Sequence, residues 1–216
     1  PTGRLLTPDE LREIVEIARG FGAWLIVDEV YAGLEWHAPR PASIAGLYER
    51  GITTGSVSKA LGLQGLRTGW MICQDKKLIM DAVILRENSS EIMNILGETL
   101  AEIALRPERY DIALEQARHA GRANLQQLDA FIHKERLLSW TAPEAGLIGL
   151  ARLAGDLNGD DIAKTLLAPP YRTFLLPGSA YDLPSHIRVG VGGGKEAHLE
   201  LGLSRLSALL NTFPKR

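Results

Sequence analysis

The feature that most constrains this chain is the run Ala23-Trp24-Leu25-Ile26-Val27, apolar throughout and stopped abruptly by two acids, Asp28 and Glu29. A continuous apolar run of this kind is what a strand shows when both of its faces are covered, as in a parallel sheet flanked by helices. The segment before it fits that picture. Thr7-Pro8-Asp9-Glu10 has the chemistry of a helix start: Thr7 can accept from the free amides of the first turn, Pro8 suits the first helical position, and Glu10 completes a capping box. Leu11, Ile14, Val15 and Ala18 then recur at helical spacing, giving one buried stripe on a helix that runs to Gly20.

Beyond the acids, strands are expected over 52–57 and 68–73, separated by a segment rich in Gly, Ser and Lys. Helical patterns follow over 75–87, 91–105 and 108–135, the last with Glu115, Arg118 and Arg122 on its polar face. After residue 137 the texture changes to short strands at 147–152, 172–176 and 186–191, with helices at 158–167 and 195–211. The expected fold class is therefore α/β. Residues 1–125 form part of a large domain with a mixed, mostly parallel sheet and helices, and residues 126–216 form a small α+β domain, the boundary falling within the long helix. Pro1-Thr2-Gly3 is turn chemistry with no element before it, so the chain reads as cut from something longer.

Several function classes lose support at once. The formal net charge is −2 with both signs interspersed, whereas nucleic acid and anionic membrane surfaces call for basic clusters. The single cysteine, Cys73, lies in the apolar run Trp70-Met71-Ile72-Cys73; it allows no disulfide framework and reads as a core residue. His37, His119, His133, His186 and His198 show no metal-ligand spacing, so no metal is assigned. No stretch approaches the roughly 20 apolar residues of a membrane span and no basic-then-apolar leader opens the chain, which makes a cytoplasmic protein the expectation. Gly190-Val191-Gly192-Gly193-Gly194-Lys195 falls short of a phosphate loop, because Val189 and Glu196 stand where a Gly and a Ser or Thr belong; a turn into the last helix is expected there. The Trp residues read as core or loop packing.

The chemistry concentrates in three places. Asp28 stands at the carboxyl end of a buried strand, where open α/β sheets place ligand-binding groups, although a turn or helix-cap acid has the same appearance. Ser56-Val57-Ser58-Lys59, followed by Gly65-Leu66-Arg67-Thr68-Gly69, brings two hydroxyls and an arginine around a lysine. Such a set could hold a phosphate dianion, with Ser56 and Ser58 donating and Arg67 adding a charge-assisted contact. A lysine beside that cation and shielded from water is a usable amine nucleophile. On spacing alone, a serine-rich loop with a solvated lysine serves equally well.

Taken together, Pro1-Thr2-Gly3, Asp28 to Tyr31, Ser56 to Arg67 and Arg188 resemble, in order and separation, the Asn-Pro-x-Gly turn, D-x-x-Y element, S-x-S-K-x(7)-R element and distal arginine of class I/II aminotransferases, of fold-type I. The resemblance covers essentially the whole chain and is carried most specifically by the lysine element. It implies pyridoxal 5'-phosphate (PLP) as cofactor, held by Lys59 as a Schiff base; Lys59 would then shuttle the proton between the substrate α-carbon and the cofactor. Asp28 would pair with the pyridine nitrogen, Tyr31 would hydrogen-bond the 3-oxygen, and Ser56, Ser58 and Arg67 would anchor the phosphate. Arg188 would clamp the substrate α-carboxylate. A packed strand-end aromatic and an ordinary strand-edge arginine are the plain alternatives for Tyr31 and Arg188.

The resemblance also implies amino acid and 2-oxo acid substrates and a homodimer. The turn asparagine and the upstream phosphate contacts of the family precede Pro1, so the chain on its own is expected to bind PLP weakly or not at all and to be inactive. The family's Gly-Gly-aromatic loop is replaced by Pro143-Glu144-Ala145-Gly146-Leu147-Ile148, which leaves substrate identity open. Transamination leads. A PLP-dependent lyase or cyclase resembling capreomycidine synthase is the alternative, and an aminotransferase-like sensing domain of a transcription regulator is a third reading.

Overall fold

The structure is a computed structural model that describes residues 1–90, 93–192 and 196–214. It separates into two compact units, one of Leu5–Ala117 and one of Pro1–Arg4 with Arg118–Arg216. The division falls within the long helix, between Ala117 and Arg118, and the first four residues belong with the C-terminal unit.

In the unit Leu5–Ala117, α1 (Pro8–Phe21) begins with the full capping box, Thr7 accepting from Glu10 N and Glu10 accepting from Thr7 N. Its buried residues Leu11, Val15 and Ala18 pack with Ile44 and Tyr48 against Leu25 and Val27. Ile14, at the margin of the expected stripe, is 37% exposed. β1 (Leu25–Asp28), α2 (Ile44–Leu47), β2 (Gly51–Ser56) and β3 (Gly69–Cys73) follow, then α3 (Lys76–Ser89), α4 (Ile95–Leu105) and the start of α5 (Pro107–Lys134). β1 pairs parallel with β2, and β2 antiparallel with β3, so this sheet is mixed with one pairing of each kind.

The expectation of a strand covered on both faces is corrected. β1 alternates half-buried and exposed residues, and Ile26 is 71% exposed while Leu25 and Val27 lie against α1. Within the described chain only the α1 side of β1 is covered. α2 was not anticipated because a single helical turn is too short to show a period. Cys73 is half-buried at the end of β3, not a core residue in full. Of the 91–105 pattern, residues 91 and 92 lie outside the described residues and the helix starts at Ile95, capped by Asn94.

The other unit takes the remainder of α5, then β4 (Leu138–Trp140), β5 (Ile148–Leu153), α6 (Gly159–Leu167), β6 (Leu176–Pro177), β7 (His186–Gly190) and α7 (Glu196–Leu210). Its sheet has the order β4-β5-β7-β6, antiparallel throughout. Ala151, Leu153, Ile162, Leu166 and Ile187 form a closed core with residues of α7. The strand expected at 172–176 shrinks to Leu176–Pro177. Arg172 has a left-handed φ of 45° and Thr173 N bonds back to Leu166 O, so neither continues a strand. Of the glycine-rich segment expected to turn into the last helix, residues 193–195 lie outside the described residues. No helix among the described residues is long and apolar enough to cross a membrane.

Candidate active site

β1 and β2 run parallel, so their carboxyl ends lie on one side of the sheet; β3 runs the other way and begins on that same side. Three chain segments therefore deliver side chains to a single sheet end. Asp28 and Tyr31 come from the end of β1, Ser56, Ser58 and Lys59 from the end of β2, and Arg67 from the approach to β3. This is the location at which open α/β sheets bind ligands.

Asp28 ends β1 beside Thr54, its partner in the parallel register. Its Oδ1 accepts from Thr54 Oγ1 at 3.2 Å and from Val30 N at 3.2 Å, the second being the contact of an ordinary turn acid. Its Oδ2 makes no hydrogen bond among the described residues. Tyr31 is half-buried in the following turn, and the Lys59 Nζ lies over its ring, 5.7 Å from the centroid. That cation–aromatic contact ties the two segments together across the sheet end.

The Lys59 turn is closed by Gly62 N donating to Lys59 O and Leu63 N donating to Val57 O. Val57 is fully buried while Ser56 and Ser58 on either side are half-buried, and Ser58 N donates to Ser56 Oγ at 3.2 Å. Arg67 has a left-handed backbone, φ 55° and ψ 35°, and its Nη1 donates to Gln64 O at 3.1 Å. The loop that carries it is backed by α4: a Cβ on Gly97 would come within 2.8 Å of Leu66 O and 3.1 Å of Thr68 Oγ1, so the helix can approach this closely only with glycine there. Lys59 and Arg67 are both exposed. The shielding of Lys59 from water that the sequence reading called for is therefore not provided by the residues described, because the open face of the sheet carries no covering layer.

Arg188 belongs to the other unit. It sits on β7 between Leu150 of β5 and Leu176 of β6, half-buried, and its Nη1 donates to Tyr181 Oη at 3.0 Å. Tyr181 lies in a 3-10 turn (Gly178–Tyr181), and no sequence motif pointed to it. Thr54 was missed as well; its neighbourhood with Asp28 depends on strand register, which local sequence does not reveal. Among the described residues no group of three or more His, Cys, Asp or Glu could hold a metal ion.

The donor set fits an aldehyde-bearing aromatic phosphate: a primary amine, a carboxylate with an open oxygen, a phenol, two hydroxyls and a guanidinium at one sheet end. Comparison with known proteins agrees. The model of the family "Aminotransferase class I and II" matches residues 1–206. Capreomycidine synthase of Streptomyces vinaceus is 26% identical, over 100% of this chain and 54% of that protein. Among solved structures, a PLP-dependent aminotransferase from Streptococcus suis 89-1591 superposes with a TM-score of 0.91 at 30% identity, covering 100% of this chain and 56% of the other. The PLP-dependent cyclase OrfR gives a TM-score of 0.88 at 30% identity, over 98% and 56%. The chain thus spans about half the length of the relatives it matches.

Proposed function

Because this chain belongs to the class I and II aminotransferase family, we propose that it carries the lysine site and the substrate-carboxylate arginine of a PLP-dependent aminotransferase that acts on an amino acid and a 2-oxo acid. The observation that carries this reading is the sheet topology, which sets the segments bearing Asp28 and Tyr31, Ser56 to Lys59, and Arg67 at one sheet end, with Lys59 Nζ over the Tyr31 ring. When bound, the cofactor supplies an electron sink for the pair left on the α-carbon as its proton departs. The chain's own residues do the rest. Lys59 Nζ would hold the cofactor covalently through its aldehyde and would serve as general base for the α-proton.

Asp28 would pair with the cofactor's ring nitrogen, since an adjacent carboxylate favours the cation. Tyr31 Oη would donate to the cofactor's ring oxygen. Ser56, Ser58 and Arg67 would hold the phosphate by charge-assisted hydrogen bonds. The planar fork of Arg188, oriented by Tyr181, receives the α-carboxylate. A homodimer in the cytoplasm belongs to the same reading. In the intact protein carrying this chain, Lys59→Ala is expected to abolish covalent cofactor attachment and amino-donor turnover together; retention of both overturns the assignment.

A second reading is favoured by two relatives, capreomycidine synthase and the cyclase OrfR. The same groups would then serve cyclisation or elimination. Incubating the intact protein with amino donors and either 2-oxoglutarate or pyruvate separates the two. A transaminase moves the amino group to the acceptor, whereas a cyclase or lyase releases a rearranged product with no new amino acid from the acceptor.

A further inference from the structure

Glu29 follows Asp28 directly, yet it faces the opposite side of the sheet, and on that side it is tied more firmly than any of the proposed cofactor residues. Its Oε1 accepts from Thr53 Oγ1 at 3.0 Å and from Ile44 N at 3.0 Å, and its Oε2 faces the Arg40 guanidinium at 3.7 Å. The Glu29 side chain is only 14% exposed and Thr53 only 3%. Thr53 Oγ1 also accepts from Ala45 N at 3.2 Å and lies 2.7 Å from Ser43 Oγ. A hydroxyl has one proton. Since that proton goes to Glu29, Ser43 must donate to Thr53, and the cluster is ordered in one direction and ends on the carboxylate.

Alternation along the strands turns this cluster into a device for the other face. Thr53 and Thr54 are consecutive in β2 and project to opposite sides. Thr53 holds Glu29, and Thr54 holds Asp28. The backbone joins the two grips, Glu29 N donating to Thr54 O at 2.8 Å. The turn that presents Tyr31 also starts at Glu29, whose carbonyl accepts from Ala32 N at 2.9 Å; Tyr31 O then accepts from Leu34 N at 3.0 Å, and Leu34 is fully buried.

We infer that Glu29 is a positioning residue for the cofactor site: its carboxylate clamps the end of β1 to β2 and α2, and so fixes where Asp28 and Tyr31 stand. The inference rests on the reading that Asp28 and Tyr31 contact the cofactor. Removing the carboxylate would leave the Thr53 hydroxyl and the Ile44 amide buried without their acceptor, and the strand end would shift to recover those bonds. A glutamine at position 29 keeps an oxygen that can accept from both.

The test uses the intact protein carrying this chain, with Glu29→Ala, Glu29→Gln and Thr53→Val. It measures pyridoxal phosphate affinity, the pH titration of the bound cofactor's visible absorbance, and amide exchange at Val30 and Ala32. Glu29→Ala is expected to weaken affinity by about tenfold or more, to displace the pH titration and to speed exchange. Thr53→Val should move all three the same way, and Glu29→Gln should stay within about threefold of wild type. Should Glu29→Ala fail to fold, the milder Thr53→Val decides.

Folded Ala and Val variants that bind as wild type with an unchanged pH titration overturn the inference and reduce Glu29 to a structural role. A wild type that takes up no pyridoxal phosphate removes the reading beneath the inference instead. That case is recognisable because exchange at Val30 and Ala32 still accelerates in Glu29→Ala.

Discussion

Arg67 combines a backbone in the left-handed region, φ 55° and ψ 35°, with a proposed phosphate contact, and its two roles separate by substitution. For a residue with a Cβ the left-handed conformation costs about 1–2 kcal/mol. Arg67→Ala keeps that cost. Arg67→Gly relieves it, but returns about 0.5–1 kcal/mol of backbone freedom to the unfolded chain. Both variants lose the exposed hydrogen bond to Gln64 O, so it cancels between them. The Gly variant should therefore be the more stable by roughly 0.5–1 kcal/mol, on the order of 2–4 °C in thermal midpoint for a unit of this size.

Cofactor binding should respond differently. A charge-assisted hydrogen bond contributes about 1.5–3 kcal/mol, so both variants of the intact protein should bind pyridoxal phosphate roughly 10- to 150-fold more weakly. Thermal unfolding followed by circular dichroism gives the first quantity and titration of the cofactor's absorbance gives the second. Wild-type affinity in both variants would refute the phosphate contact, and equal stability of the two would refute the strain.

Other expectations can be checked in the same way. Tyr181→Phe removes the acceptor of Arg188 Nη1, and should raise KM for the amino donor about two- to tenfold while leaving cofactor affinity unchanged, measured by steady-state kinetics. The hydrogen bond from Arg106 holds the Glu102 carboxyl below the usual carboxylate range. The stability it contributes is thus complete above the unfolded-state value and is lost as pH falls through the lower folded-state value. Glu102→Gln should accordingly flatten the stability profile on the acid side of the ordinary carboxylate range in a pH series of denaturant melts. Thr7→Ala breaks the capping box of α1 and should cost about 1 kcal/mol by denaturant titration. Ile187→Ala empties a fully buried position between β5 and β6 and should cost about 2–4 kcal/mol by the same measurement.

Local chemistry decided a large part of this protein before any folding. The capping box at Thr7, the helical stripe of α1, the apolar stop at Asp28 and the Ser-x-Ser-Lys element are short-range signals, set by hydrogen-bond geometry and side-chain period within a few residues. They delivered α1 and the three strands of the first sheet; the cofactor roles of Asp28, Tyr31, Ser56, Ser58, Lys59 and Arg67 came instead from the resemblance of the whole motif set to a family. Tertiary structure alone decided three things. Strand register set Thr54 against Asp28 and Thr53 against Glu29, pairs 26 and 24 residues apart that no local pattern could join. Chain reversal at β3 carried Arg67 to the same sheet end as Lys59. Burial was decided last: an apolar run announces a strand but not how many of its faces are covered, and among the described residues Ile26 is exposed because coverage depends on what packs nearby and not on the strand itself.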